Sequence, residues 1–215
     1  MIKLLDLLEN KILVPRRSPE ERKKNLLIAT QKQIQQYIKD GSKGDLDLRD
    51  TPIKSLPQGL TVGGNLDLGS TLIQSLPQGL TVGGRLYLGS TPIQSLPQGL
   101  KVGGDIHLGG TPITSLPPGL KINGTLNLIS TSITSLPPGL EVSKDLVLQN
   151  VPITSLPNDL KIGGDLNLAN SQITSLPQNL KLKGFLFIGD TPLSKKYTKE
   201  QIRQMSPGVT GKIIS

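Results

Sequence analysis

The chain of 215 residues contains no cysteine and no tryptophan, only three tyrosines and two phenylalanines, and a single histidine. Without cysteine no disulfide can staple the fold, which fits a reducing compartment. With so few rings, one globular core of this length would be short of its usual large side chains. A core assembled from Leu, Ile and Val in repeated layers would need none. The one histidine, His107, belongs to no cysteine or serine–acid constellation, so a nucleophilic triad has no candidates. A P-loop, a G-x-G-x-x-G in a βαβ setting and an H-E-x-x-H are also missing. Long apolar runs are absent too. The first stretch, MIKLLDLLENKILVPRR, carries Asp6 and Glu9 among its apolar residues, which argues against a signal-peptide core or a membrane span there. We expect a soluble, cytoplasmic protein without a cofactor.

What the chain does have is repetition. Residues 64–83 read GNLDLGSTLIQSLPQGLTVG and residues 84–103 read GRLYLGSTPIQSLPQGLKVG. The unit begins at Gly44, recurs in seven full copies to residue 183, and ends in a half copy over 184–193. A fixed twenty-residue period implies a solenoid, because one such unit can bury its apolar face only against its neighbours. In the copy at 64–83, Asn65-Leu66-Asp67-Leu68 alternates as a strand with one buried face does. Leu66 and Leu68 point inward, and the chain returns inward at Ile73, Leu76, Leu80 and Val82. One short strand per turn, always at the same phase, predicts a parallel sheet running the length of the solenoid.

The remaining phases supply the corners. Proline follows an inward leucine in all seven full copies, from Pro57 to Pro177, so that segment is extended or turn-like. Two residues on stand Gly59, Gly79, Gly99, Gly119 and Gly139, then Asp159 and Asn179. All are residues that tolerate positive φ, and a left-handed corner is expected in every turn. Ser55 to Ser175 and a threonine column (Thr51, Thr71, Thr91, Thr111, Thr131, Thr191) read as buried hydroxyl ladders that satisfy backbone groups of neighbouring turns. The Gly-Gly pairs at the unit junctions are periodic, hence corners and not phosphate loops.

The pattern LxLxxTxI followed by xxLP resembles the leucine-rich repeat, most of all its short twenty-residue bacterial variety. The resemblance covers about 150 of the 215 residues. It implies a leucine-rich-repeat-like β-solenoid whose usual work is to bind a protein partner, and it admits either a curved horseshoe or a straighter β-helix. This chain departs from the family pattern in placing threonine where the ladder asparagine is usual, and Gly63, preceded by Val62, where a leucine is usual. The segments ENKILVPRRSPEER and KKYTKEQIRQMSPG resemble repeat proteins of tailed bacteriophages. That likeness implies a phage-encoded protein at work in the host cytoplasm, and carries no known activity.

Residues 1–43 carry a net charge of +5, residues 194–215 carry +4, and the repeats between them −1. The basicity therefore lies at the ends. Residues 2–13 suit a short amphipathic helix, with Leu4, Leu5, Leu8 and Ile12 on one side. Ser18-Pro19-Glu20-Glu21 starts a second helix that runs to about Asp40 and stops at Gly41. Its apolar stripe is Leu27, Ile34 and Ile38, with Tyr37 beside them. After Leu193, Thr198 to Met205 reads as a capping-box helix and Val209 to Ile214 as a last strand. We divide the chain into an N-terminal helical cap (1–43), the solenoid (44–193) and a C-terminal helix–strand cap (194–215). Such caps keep the end turns of a solenoid from pairing.

The outward strand positions vary from copy to copy, while the core phases hardly change. One column reads Asp45, Asn65, Arg85, Asp105, Thr125, Asp145, Asp165, Phe185; the other reads Asp47, Asp67, Tyr87, His107, Asn127, Val147, Asn167, Phe187. This is how a framework displays a patch, although drift on an unconstrained surface would look the same. The centre of the patch, Asp67, Arg85, Tyr87, Asp105, His107 and Asn127, is the candidate partner-binding site, with His107 stacked on Tyr87. Two other classes stand beside it. Asp47 and Asp67 on adjacent turns, about 4.8 Å apart at Cα, could form a glycosidase-like carboxylate pair or, with Asp45, a weak Ca²⁺ site. Against both, Arg49 is near enough to neutralise them. Alternatively the basic ends could associate with nucleic acid, although no aromatic–basic interleaving or reading motif supports it.

Overall fold

The computed structural model describes residues 18–215, so the helix expected over 2–13 lies outside the described residues. Alternation sends the two leucines of each strand inward, and the strands then align at steps of twenty. Leu46 pairs with Leu66, Leu66 with Leu86, Leu86 with Ile106, and Ile106 with Leu126. Leu146, Leu166, Leu186 and finally Ile213 continue the row. All pairings are parallel and close one nine-stranded sheet. Within it, Leu46 and Leu48 donate their N–H groups to the carbonyls of Asn65 and Asp67, each at 2.8 Å, and later turns repeat the pattern. Six turns add a second two-residue strand just before the main one, from Thr61–Val62 to Lys161–Ile162, and these form two three-stranded parallel sheets.

Leu66, Leu68, Ile73, Leu76, Leu80 and Val82 are all buried, as are their equivalents in almost every other turn, and together they make one continuous aliphatic core. Each such side chain contributes about 1.5–3 kcal/mol on burial. Those side chains are buried only between stacked turns, so each turn depends on the neighbours that cover it.

The corners are two per turn. Gly59, Gly79, Gly99, Gly119 and Gly139 have φ between +66° and +75°, as expected. Asp159 and Asn179 at the same phase do not have positive φ, which corrects the expectation for them. A Cβ makes the left-handed region costly by about 1–2 kcal/mol, and the last two turns close without it. Asp159 instead uses its side chain, accepting the Gly139 N–H at 2.7 Å from one turn below. A second left-handed corner follows the main strand at Asp50, Ser70, Ser90, Ser130, Asn150, Asn170 and Asp190 (φ 55–58°), with Gly110 at +70°.

The hydroxyl columns also differ from expectation. The threonine hydroxyls are buried from Thr71 onward, but they close their own turn: Thr71 Oγ1 donates to the Leu68 carbonyl at 2.7 Å, three residues back, and its counterparts do likewise. These hydroxyls take no part in bonding between turns. Ser55 to Ser175 are exposed, since two successive residues face solvent between the inward isoleucine and the inward leucine of each turn, and serine is the second of them.

At the first turn, the helix Pro19–Lys39 begins with the expected Ser18–Glu21 capping box. It buries Thr30 and Ile34, with Leu27 and Tyr37 packed beside them, while Ile38, at the edge of the same face, is exposed. The interface is thus narrower than the expected stripe, and polar side chains complete it. Gln33 Nε2 donates to the Asp47 carbonyl on the open edge of the first strand at 2.9 Å. Tyr37 Oη donates to the Gly44 carbonyl at 2.8 Å and accepts the Gly63 N–H.

At the other end, a short helix Pro192–Lys196, not expected from the sequence, is capped by Thr191 and followed by the expected Thr198-capped helix Lys199–Met205. The last strand is Ile213–Ile214 only; Val209 makes a single bridge to Leu182. Lys212 and Ile214 give their carbonyls to the Leu186 and Ile188 N–H groups. Both exposed ends of the sheet are therefore satisfied by side chains or an added strand.

Two glycines are needed for different reasons. Gly99 has φ +75° and open space around it, whereas a Cβ on Gly103 would fall well inside contact distance of the Gly83 carbonyl oxygen. Gly99→Ala should cost about 1–2 kcal/mol, the left-handed penalty. Gly103→Ala should cost more, because backbone in two turns must separate. Urea titrations of both variants check the order, and equal midpoints would contradict it.

Candidate functional site

The outward side of the nine-stranded sheet is lined by three columns, not two. Beside those at the phases of Asp45 and Asp47 runs a third: Arg49, Gly69, Gly89, Gly109, Ile129, Gln149, Ala169 and Gly189. Extending the strand alternation by two residues would have found it. Its three consecutive glycines leave one flank of the neighbouring column uncovered at Asp67, Tyr87 and His107.

The first column is largely structural. Asp45 Oδ1 accepts the N–H of Asn65, Asn65 Oδ1 that of Arg85, Asp105 Oδ1 that of Thr125, Asp145 Oδ1 that of Asp165, and Asp165 Oδ1 that of Phe185, all at 2.7–2.8 Å. Asp and Asn recur at this phase because their short acceptor side chains reach one turn up. Such hydrogen bonds are worth about 1.5–3 kcal/mol each to the aspartates and about 0.5–1.5 kcal/mol to the neutral Asn65. In the second column, Asp47, Asp67, Asn127 and Asn167 each accept the N–H two residues on, at 2.9–3.1 Å. The signal was in the sequence: five of the eight residues in the first column are Asp or Asn.

The candidate residues form one contiguous patch. Tyr87 and His107 stack as expected, with ring centroids 4.8 Å apart and planes inclined by 11°. Arg85 reaches the Tyr87 hydroxyl at 3.5 Å and pairs with Asp105 Oδ2 at 2.9 Å. Asn127 follows His107 in register, and Asp67 precedes Tyr87. Asp105 thus holds the next turn with one oxygen and Arg85 with the other. At the far end of the face, Phe185 and Phe187 meet edge to face at 6.1 Å, with Phe185 exposed.

Asp47 and Asp67 are in register on adjacent turns, but Arg49 lies across both. Its guanidinium is 2.6 Å from Asp47 Oδ2 and 3.3 Å from Asp67 Oδ2. The hydrogen bonds from the Arg49 side chain, and then its backbone N–H, hold the Asp47 carboxyl below the usual carboxylate range. A glycosidase acid needs the reverse, a carboxyl kept protonated. Among the described residues no group of three His, Asp or Glu side chains stands close enough to hold a metal ion, and no helix is long and apolar enough to cross a membrane.

The geometry is that of a parallel β-solenoid with capped ends and a polar strand face. No protein-family model and no curated protein matches the chain. Among solved structures it is similar to a leucine-rich-repeat protein of Leptospira interrogans, at 20% identity and a TM-score of 0.34, over 78% of this chain and 59% of the other. The chain therefore spans less than two thirds of that neighbour's length. The fold assigned here rests on the chain's own ladders.

Burial holds the His107 pKa below its ordinary value. Asp105 and Asp67 pull it up and Arg85 pushes it down, but desolvation is the largest influence. The folded pKa is depressed, so the unfolded chain takes up the proton first as pH falls. The stability contributed by the neutral ring is complete above about pH 6.5 and declines as pH falls from there to the folded pKa. As the chain has one histidine, its proton resonances can be followed by NMR. Their midpoint should lie below about 6.5 and return towards that value in Tyr87→Ala, which removes the covering ring.

Proposed function

We propose that this chain is a non-catalytic binding module that seats a protein partner across the outward strand face, centred on Asp67, Arg85, Tyr87, Asp105, His107 and Asn127. The observation that carries the reading is the Tyr87–His107 stack, held by Arg85 and Asp105 and bared on one flank by Gly69, Gly89 and Gly109. A rigid aromatic pair beside an arginine, mounted on strands, is the composition of a binding hot spot. It loses little side-chain entropy when a partner covers it. The Arg49 bridge across Asp47 and Asp67 disfavours a carbohydrate-cleaving role. The resemblance of the end segments to phage repeat proteins suggests a host protein as partner, in the host cytoplasm.

The test is capture of partners by the full chain from host lysate, with and without nuclease, using wild type, Tyr87→Ala/His107→Ala and a control substituted at exposed Ser75. The double variant should lose a nuclease-resistant partner by about thirtyfold in affinity, the scale of a 2 kcal/mol hot spot. Its melting temperature should change far less than that of Leu108→Ala, which empties the core at a cost of about 2–5 kcal/mol. Undiminished capture by the double variant would place the partner elsewhere.

A further inference from the structure

The repeats are nearly neutral in sum but not in space. Of the nine lysines and arginines in residues 44–193, six (Lys101, Lys121, Lys144, Lys161, Lys181 and Lys183) lie at the phase of Thr61 to Gly64, along the second strand of each turn. Six of the ten acids stand on the strand face. The flank is therefore a basic ridge, and Lys101, Lys121, Lys161 and Lys181 share one column at successive multiples of the repeat. The position between Lys121 and Lys161 is Glu141. It pairs with Lys121 at 3.1 Å and Lys161 at 2.6 Å, while the two lysine side chains stay 70% and 73% exposed.

The second ladder is broken at two places on this ridge, between the turns of Lys101 and Lys121 and again between those of Lys161 and Lys181. At the second, Lys181, Lys183 and Gly184 make no backward bond; a furrow opens at the first. Strands Thr61–Val62 to Lys101–Val102 form one sheet and Lys121–Ile122 to Lys161–Ile162 another, with no pairing between them. In the turns on either side, the N–H groups at these phases donate backward: Lys101 to Leu80, Gly103 to Val82 and Gly104 to Gly84, then Glu141 to Leu120, Ser143 to Ile122 and Lys144 to Gly124. At the first junction the corresponding donors, Lys121, Asn123 and Gly124, make no such bond. A furrow of about 560 Å³ opens there, lined by Gly99, Lys101, Gly103, Pro117, Lys121 and Asn123. Backbone donors freed from a ladder, between two lysines, are the makings of an anion site.

We propose that this flank binds a nucleic-acid phosphodiester chain, with one phosphate in the furrow between Lys101 and Lys121 and its neighbours along Lys161 and Lys181. The column spans four turns, about 19 Å at strand spacing, which suits a linear polymer of regular charge. A folded protein partner is a poorer match, since lysine is depleted from protein interfaces and the ridge offers no aromatic anchor. The contact reads charge and not sequence, because lysine is a point charge on a flexible stem.

The experiment is fluorescence anisotropy of the full chain with a labelled twenty-nucleotide oligo-dT across a salt series. Four lysine–phosphate contacts on a single strand give a slope of log K against log salt of about −3, so that affinity falls about fiftyfold between 50 and 200 mM salt. Lys101→Gln/Lys121→Gln should lower the slope's magnitude by about 1.4. Glu141→Gln, which releases Lys121 and Lys161, should tighten binding. The Tyr87→Ala/His107→Ala variant should bind the oligonucleotide as wild type does, which separates this site from the strand face. Wild-type affinity and slope in the double-lysine variant would overturn the proposal and assign binding to the basic ends. Binding of a sulfated polysaccharide with none of oligo-dT would overturn it in favour of another polyanion.

Discussion

Each turn of this molecule exists because the next one hydrogen-bonds to it at a fixed offset of twenty residues. The main-strand N–H groups donate to the turn ahead, and those of the second strand donate to the turn behind. Every internal turn is therefore held in both directions while its six aliphatics are covered above and below. The close approach this requires explains the junction glycines, where a Cβ would run into the carbonyl of the turn before. It also explains why the ends need separate treatment. Without a neighbour, the first turn would expose a strand edge along with half its core contacts. Gln33, Tyr37 and Ile34 remove both liabilities from a single helix.

This dependence made much of the fold legible in the sequence. A core position repeated seven times at one phase is an unusually strong signal, and the inward leucines, the parallel register and the Gly corners all follow from it. The errors arose where a residue type admits two uses. Ser, Asp and Asn tolerate left-handed backbone and also serve as acceptors. At Asp50, Ser70 and Asn150 the first use wins, and at Asp159 the second. The threonines could bond within a turn or between turns, and the geometry of an i−3 carbonyl decides it. The candidate patch was legible through Tyr87 and His107, whose register is fixed by the repeat. Less directly legible was that both of its acids, Asp67 and Asp105, also accept backbone N–H groups.

That double use bears on what the strand face can do. Asp105 cannot be exchanged freely, because it bonds the Thr125 N–H as well as Arg85. Tyr87, His107 and the exposed Phe185 have no backbone partner and can vary without loosening a turn. Structural need and display thus alternate along the same eight rungs.

The broken rung between Lys101 and Lys121 follows from the same logic. A solenoid's stability is close to a sum of nearest-neighbour terms, so one missing set of inter-turn bonds weakens one interface without spreading. The main sheet runs unbroken past the gap, with Ile106 paired to Leu126, and the core is continuous beneath it. The fold can therefore leave three donors free at such a junction while the main sheet stays locked across it. The gap opens at Asn123, which stands where the first three turns carry Gly63, Gly83 and Gly103, and a Cβ at that phase meets the carbonyl of the turn before. A bound anion between Lys101 and Lys121 would give the freed N–H groups the partners that the missing rung withholds.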